Sequence, residues 1–408
     1  MFVQQTNLKE FKLSKRIGVL TGGGDTPALN ATLKGIALKA EELGYELIGF
    51  MEGWAGVLTG GSYVRLNPDM VDENRGGTLL QSSRTNLRAS NKLGEAVDNL
   101  KKLKIDALIP IGGDDTLSVG SALSEHFTTT FVTKTIDNDV GINCPAEEAL
   151  DYTKIVNYFC PGFPSAAHLV AKYVHDIRTT AYSHNRVIFV EAMGRYAGWL
   201  TLSAAYGGAD LILIPEVTYN PDKMAEVIEK QYRDKGHLVV VVSEGISDAN
   251  GDLLTESAEL DSFGHARPGG CSEVIADHMK NRIPSLSSSV FRHQILGYMQ
   301  RCGSPIPIDR DTAIKAGKLA VSAVENGQVN HVSTIMRTGL GLEPHLLNLD
   351  KVLKRGEDGH VIRRDTDSRF YESENFSISP AGIGYFRPIF GDIPRDHMGL
   401  GLDKTTIE

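Results

Sequence analysis

Short apolar, largely β-branched runs alternate along this chain with amphipathic stretches, and most of the runs stop at a cluster of glycine, aspartate or arginine. The first, RIGVL (Arg16 to Leu20), leads through TGGGDTP into a helical pattern from about Leu29 to Leu43. YELIGFM comes next, then a charged helical segment near Leu93 to Leu103, then IDALIPI running into GGDD. TTFVTK, RVIFVEAM, ADLILIP and HLVVVVSEG continue the series. A strand that is apolar throughout is buried on both faces, which is the pattern of parallel sheets wrapped by helices. The spacing therefore predicts an α/β chain. In such sheets ligands bind at the carboxyl ends of the strands. The loops at those ends are TGGGDTP, GGDD, TIDNDV, EAMGRYAG and SEGISD.

At 408 residues the chain exceeds one small core and suits two lobes. A net charge of −9 argues against nucleic acid or an anionic membrane as partner, while leaving room for a local basic pocket. No run approaches the roughly 18 apolar residues of a membrane span. The start, MFVQQTNLKEFKLSKR, lacks the apolar centre of a secretion signal. Cys144, Cys160, Cys271 and Cys302 have no zinc-ligand spacing and read as reduced thiols. The expectation is a cytoplasmic, soluble protein. Ser247 to Gly270, rich in Gly, Asp and Ser, reads as a long loop. Beyond Leu342 the pattern weakens around KRGEDGHVIRRDTD, which reads as an extension packed on the core, without an assigned role.

Three glycines between a strand and a helix, as in TGGGDTPALN, let the backbone approach a phosphate at a helix N-terminus. No Gly-Lys-Ser/Thr follows, and Pro27 stands where a dinucleotide fingerprint has its last glycine. A tight turn alone would use the same residues. In GGDDT, Asp114 suits Mg²⁺, which binds through one or two carboxylates plus substrate phosphates. In KTIDNDV, Asp137 and Asp139 alternate after a strand, with Thr135 just before them. One carboxylate can take a proton from a hydroxyl nucleophile while the other positions a metal. An Asx-rich turn is the plainer alternative. Arg84, Arg186, Arg195, Arg292 and Arg301 stand in or beside loops, and converging guanidinium groups suit a phosphorylated substrate.

The ordered set LTGGGD, IGGDD, KTIDND, MGRYAG and LGYMQRCGSP resembles the phosphofructokinase family, over Arg16 to Ile335. The resemblance implies two Rossmann-like lobes with mainly parallel sheets, and phosphoryl transfer to O1 of fructose 6-phosphate with Mg²⁺. It implies a donor-binding lobe over 13–150, joined by about 295–345, and a sugar-phosphate lobe over 151–295. Residues 346–408 are left as an extension of unknown role. Carried over, Asp137 is the general base, in a substrate loop with Thr135 and Ile136. Asp114 is the metal carboxylate, with Asp139 as its companion. Gly23 and Gly24 cradle the donor, and Arg84 reaches the transferred phosphoryl. Met193, Gly194, Arg195, Glu244, Tyr298 and Arg301 hold the sugar phosphate. Arg186 and Arg292 correspond to arginines that reach a neighbouring subunit's 6-phosphate, which implies a homodimer or homotetramer.

Several positions depart from the ATP-dependent bacterial pattern. Tyr298 replaces a histidine, and Cys302 replaces a glycine. Lys34 and Leu38 stand where allosteric members carry effector-binding arginines, so a non-allosteric enzyme is expected. Asp115 and Lys134 stand where ATP-dependent members have glycines, and this pair resembles the pyrophosphate-dependent branch. A carboxylate about 4 Å from an α-phosphate costs roughly 4 kcal/mol at an effective dielectric of 20. Pyrophosphate avoids that space, and Lys134 supplies an ammonium to it. The region containing DSFGH also resembles that branch. The sequence thus predicts reversible pyrophosphate-dependent phosphorylation of fructose 6-phosphate, in glycolysis and gluconeogenesis. The catalytic set is Asp137, Arg84, Asp115 and Lys134. Alternatives are an ATP-dependent 6-phosphofructokinase that tolerates Asp115, and a related kinase that also accepts sedoheptulose 7-phosphate. A lipid or NAD kinase would not be expected to combine TIDND with MGR. A dehydrogenase is disfavoured by the missing Gly-x-Gly-x-x-Gly, and a non-catalytic nucleotide sensor by the intact Asp137.

Overall fold

The computed structural model describes residues 14–255, 269–356 and 361–393. Eleven strands build two sheets. They are β1 (Arg16–Thr21), β2 (Glu46–Phe50), β3 (Tyr63–Leu66), β4 (Ala107–Gly112), β5 (Thr128–Thr133), β6 (Val187–Ala192), β7 (Leu211–Leu213), β8 (Leu238–Ser243), β9 (Phe291–Ile295), β10 (His331–Thr338) and β11 (Gly341–Asn348). The longer helices are α1 (Leu29–Glu42), α2 (Leu93–Lys102), α3 (Asp114–Leu123), α4 (Phe163–Ser183), then the short α5 (Trp199–Ser203), α6 (Pro221–Lys235), α7 (Cys271–Arg282), α8 (Pro307–Glu325) and α9 (Pro380–Phe390). The α/β class predicted from the apolar runs is the one observed.

The first sheet has the order β11-β10-β5-β4-β1-β2-β3. From β10 to β2 neighbouring strands are parallel, while β3 and β11 add antiparallel edges. All six residues of β4 are buried, as its unbroken apolar sequence requires. The chain leaves β1 toward β2 and returns on the other side as β4. The gap between the carboxyl ends of β1 and β4 is therefore a switch point, where loops diverge and leave a crevice. The second sheet, β7-β8-β6-β9, is parallel throughout, with its own switch between β6 and β9.

Four strands escaped the sequence reading: β10, whose HVSTIMRT mixes polar and apolar residues, and three edge strands that share a cause. β3, β9 and β11 lie at sheet edges and are largely half-buried or exposed. Their mixed polarity hides the apolar signal of interior strands. The segment past Leu342 is not only an extension, since β11 pairs with β10 along its whole length.

Beyond β11 the chain packs across both sheets. Phe370, Tyr385 and Phe386 are fully buried. The Tyr385 ring stacks on Tyr158 at 4.6 Å and lies 4.9 Å from Trp199. The backbone of Phe376 accepts a hydrogen bond from Ile212 of β7. Part of the long Ser247–Gly270 loop, including DSFGH, falls outside the described residues. Among the described residues no helix is long and apolar enough to cross a membrane. All four cysteines are free thiols, and only Cys302 is exposed. Cys302 creates no backbone strain, because Gly303 after it takes the left-handed turn at φ 88°.

Candidate active site

The two switch points face each other, and the loops leaving β1, β4, β5, β6 and β8 line one cleft between them. It gathers Gly23, Gly24, Arg84, Asp114, Asp115, Lys134, Thr135, Asp137, Asp139, Arg195, Glu244 and Arg301 from the sequence-predicted set. Gly113, Thr116, Tyr196 and Arg363 complete the lining. Five carboxylates and five cationic side chains thus meet in one place.

The glycine turn after β1 is held from both sides. Gly22 N–H donates to the Ile111 carbonyl, and Gly23 N–H to the Ser83 carbonyl. The Ser82 hydroxyl donates to the Gly23 carbonyl at 2.5 Å. This fastens the Gly23 turn, at φ 79°, to the segment that carries Arg84. A Cβ at Gly24 would sit 2.5 Å from the Arg301 guanidinium, so a side chain there would push that arginine aside.

After β4, Gly113 caps α3 and the first turn of that helix holds Asp114 and Asp115. A bare helix N-terminus attracts anions, but here its partial positive charge already faces two carboxylates. This end of the cleft suits a cation rather than an additional phosphate.

After β5, Lys134 is only 3% exposed, and its ammonium donates to the Gly24 carbonyl at 2.5 Å. Burial, and then the nearby Arg301, pull its pKa down to about 8 despite the carboxylates around it. Asn138 adopts the left-handed conformation, φ 56°, that asparagine tolerates. Its side chain turns into the core, donating to the Tyr385 hydroxyl and accepting from the Cys160 N–H. Asp137 and Asp139 on either side line the cleft. Asp137 Oδ1 is buried without a hydrogen-bond partner. Burial, reinforced by Asp137 and Asp114, pushes Asp139 up to about 7.

In the second lobe, Gly194 at φ 126° turns the loop after β6, and Ser243 donates to its carbonyl. Met193 N–H donates to Gln300 Oε1, and Gln300 Nε2 donates to the Gly297 carbonyl. This wholly buried Gln300 ties the Met193 loop to the turn that carries Arg301, a role the sequence reading missed. Glu244, at the end of β8, is pushed up to about 7 by burial and by Asp137.

Six candidates do not line the cleft with their neighbours; one is Gly194, whose part is to turn the loop after β6. Ile136 is core, and Met193 is packed against it. Arg186 precedes β6 and Arg292 is the second residue of β9, so both sit near the amino ends of their strands, opposite the cleft. Tyr298 is 82% exposed. Lys34 is spent on the Pro68 and Val71 carbonyls and on Glu73, which leaves no free cation at that position of α1.

Arg363 was also missed. Its Nη2 lies 3.1 Å from Asp114 Oδ2, and its Nε 3.7 Å from Asp139 Oδ2. One oxygen of each carboxylate thus converges on a single cation. Hard carboxylate oxygens of this kind fit Mg²⁺, with substrate phosphates completing its shell. Among the described residues no cluster of three or more His, Cys, Asp or Glu forms a metal cage by itself.

The sequence model of the family described as Phosphofructokinase matches residues 16–324. The chain belongs to the phosphofructokinase family. It is 40% identical to a pyrophosphate–fructose 6-phosphate 1-phosphotransferase of Dictyoglomus thermophilum, over 88% of this chain and 97% of that protein. It is 36% identical to ATP-dependent 6-phosphofructokinase 2 of Streptomyces coelicolor, over 81% and 93% respectively. The crystal structure of a pyrophosphate-dependent phosphofructokinase from Marinobacter aquaeolei superposes with a TM-score of 0.75, covering 97% of this chain and 98% of that one at 20% identity. At that identity the likeness speaks for the phosphofructokinase fold alone.

Proposed function

We propose that this phosphofructokinase transfers a phosphoryl group from pyrophosphate to O1 of fructose 6-phosphate, and runs the reaction in both directions. The observation that carries the donor assignment is the pair Asp115 and Lys134 in one cleft, with the Lys134 ammonium on the glycine turn itself. In this reading Asp115 repels a nucleotide's α-phosphate, and Lys134 attracts the two phosphates of pyrophosphate.

Asp137 takes the proton of the 1-hydroxyl through its unpartnered Oδ1. The sugar oxygen then bonds to the nearer phosphorus as the bridging P–O bond of pyrophosphate breaks, and inorganic phosphate leaves. Lys134 and Arg84 stabilise the charge spread over the transferring and leaving groups. Asp114 and Asp139 would hold Mg²⁺, which supplies neutralisation of the pyrophosphate charge when bound. Arg195, Glu244 and Arg301 orient the sugar phosphate. Arg186 and Arg292 belong to a neighbouring copy's 6-phosphate site in this reading, which makes the enzyme a homo-oligomer.

The test is a donor comparison on fructose 6-phosphate, Mg-pyrophosphate against Mg-ATP, together with formation of pyrophosphate from fructose 1,6-bisphosphate and phosphate. Pyrophosphate use in both directions is expected. A wild-type enzyme that uses ATP alone would refute the donor assignment and favour the activity named for the Streptomyces relative. Sedoheptulose 7-phosphate belongs in the same assay as a second acceptor.

A further inference from the structure

Arg363 lies beyond the span matched by the family model, in a segment that follows the short strand Val361–Ile362. It reaches the cleft on a rigid support. The next residue, Arg364, is 4% exposed. Its N–H donates to the Asp139 carbonyl at 2.8 Å. Its guanidinium donates to the Asn138 carbonyl at 3.0 and 2.5 Å and to the Asn157 carbonyl at 2.6 Å. The same group lies 4.9 Å from the Trp199 ring. Arg364 thus fixes the backbone beside Arg363 to the loop that carries Asp137 and Asp139.

The Arg363 guanidinium itself lies 4.7 Å from the Tyr196 ring, with its side chain 23% accessible. Aromatic stacking leaves the edge of the fork available to anions. The carboxylates it meets, Asp114 and Asp139, are the pair that fits Mg²⁺. A divalent cation arriving on them competes with the guanidinium for the same negative charge. For a cation loosened from two carboxylates, a phosphate within reach is a strong competing partner, because it matches the guanidinium fork bidentately.

We infer that Arg363 is a donor-site residue that exchanges partners, bridging Asp114 and Asp139 in the free enzyme and moving onto pyrophosphate when Mg-pyrophosphate enters. The inference rests on the pyrophosphate reading. It gives the C-terminal extension a function: to bring to the donor site a cation that lies outside the matched family span. It also predicts that metal alone binds poorly, because it must compete with the Arg363 charge for Asp114 and Asp139.

The test uses Arg363→Gln and Arg363→Lys in the full-length enzyme. Mn²⁺ binding to the protein alone is read by electron paramagnetic resonance, and steady-state constants are measured for each substrate. Arg363→Gln is expected to bind Mn²⁺ about fivefold or more tightly, through the loss of a competing charge. Its KM for pyrophosphate is expected to rise roughly 10- to 100-fold, as for loss of a charge-assisted contact, while the KM for fructose 6-phosphate stays within about twofold. Arg363→Lys keeps the charge without the fork. It should leave Mn²⁺ binding near wild type and still raise the pyrophosphate KM, and it carries the test if the glutamine variant does not fold. Unchanged or weaker Mn²⁺ binding in Arg363→Gln, or a pyrophosphate KM within threefold of wild type in a folded variant, overturns the exchange. A wild-type enzyme inactive with pyrophosphate refutes the donor reading instead, so the two failures are distinguishable.

Discussion

Lys134 should cost this protein stability in return for activity, and Lys134→Met separates the two. The residue is 3% exposed, and its pKa falls from an ordinary lysine value of 10.5 to about 8, chiefly through burial. At 1.36 kcal/mol per pH unit, that depression means the charged form costs the native state about 3 kcal/mol below pH 8. Between pH 8 and 10.5 the unfolded chain binds this proton and the native chain does not. Stability from this residue therefore rises with pH across that window and is flat below it. Methionine has similar length and no charge, but it forfeits the charge-assisted bond to the Gly24 carbonyl, worth about 2 kcal/mol. Lys134→Met should thus gain about 1 kcal/mol at pH 7, and its advantage should shrink toward pH 10. Turnover with pyrophosphate should fall roughly 10²- to 10³-fold, the usual loss when one charge-stabilising donor is removed. Urea denaturation at pH 7, 8, 9 and 10 reads the first effect, and steady-state assays on the same preparations read the second. A variant less stable than wild type at pH 7, with activity reduced only in proportion to its folded fraction, would show that Lys134 is a structural cation.

Asp115→Gly should raise ATP use and lower pyrophosphate use, and adding Lys134→Gly should move preference furthest toward ATP; an unchanged ATP rate in Asp115→Gly refutes the charge-exclusion argument. The two effects should not add, because both residues line one cleft. Asp137→Ala and Arg292→Ala should each be nearly inactive, and a co-refolded equimolar mixture should recover roughly a quarter of wild-type activity if each site takes Asp137 from one chain and Arg292 from another. No recovery in a mixture shown to contain hybrids returns Arg292 to its own chain. With Glu244 raised to about 7, it is charged above that pH and neutral below it. The KM for fructose 6-phosphate should therefore climb as pH falls below 7, and Glu244→Gln should flatten that limb; a wild-type KM constant from pH 6 to 8 argues against Glu244 as a sugar ligand.

By itself the sequence determined most of the interior of both sheets and the chemistry at their ends. β1, β4, β6 and β8 are apolar almost throughout and β5 is β-branched around Phe131, so burial on two faces left them one placement, and the loops after them had to open on the cleft. Ten of the candidate residues that line the cleft follow these strands, including the Asp115 and Lys134 pair. The tertiary structure alone decided what depends on contacts between distant segments. The edge strands β3, β9 and β11 carry too little apolar signal to declare themselves and exist because an interior neighbour offers its backbone. Gln300 becomes a brace only when the Met193 loop lies beside it. Arg363 looks like one more charge in a polar tail until Arg364, Tyr385 and Trp199 fold that tail against the Asn138 loop. A side chain's charge is written in its letter, but the carboxylates it will meet, more than two hundred residues away along the chain, are chosen by packing.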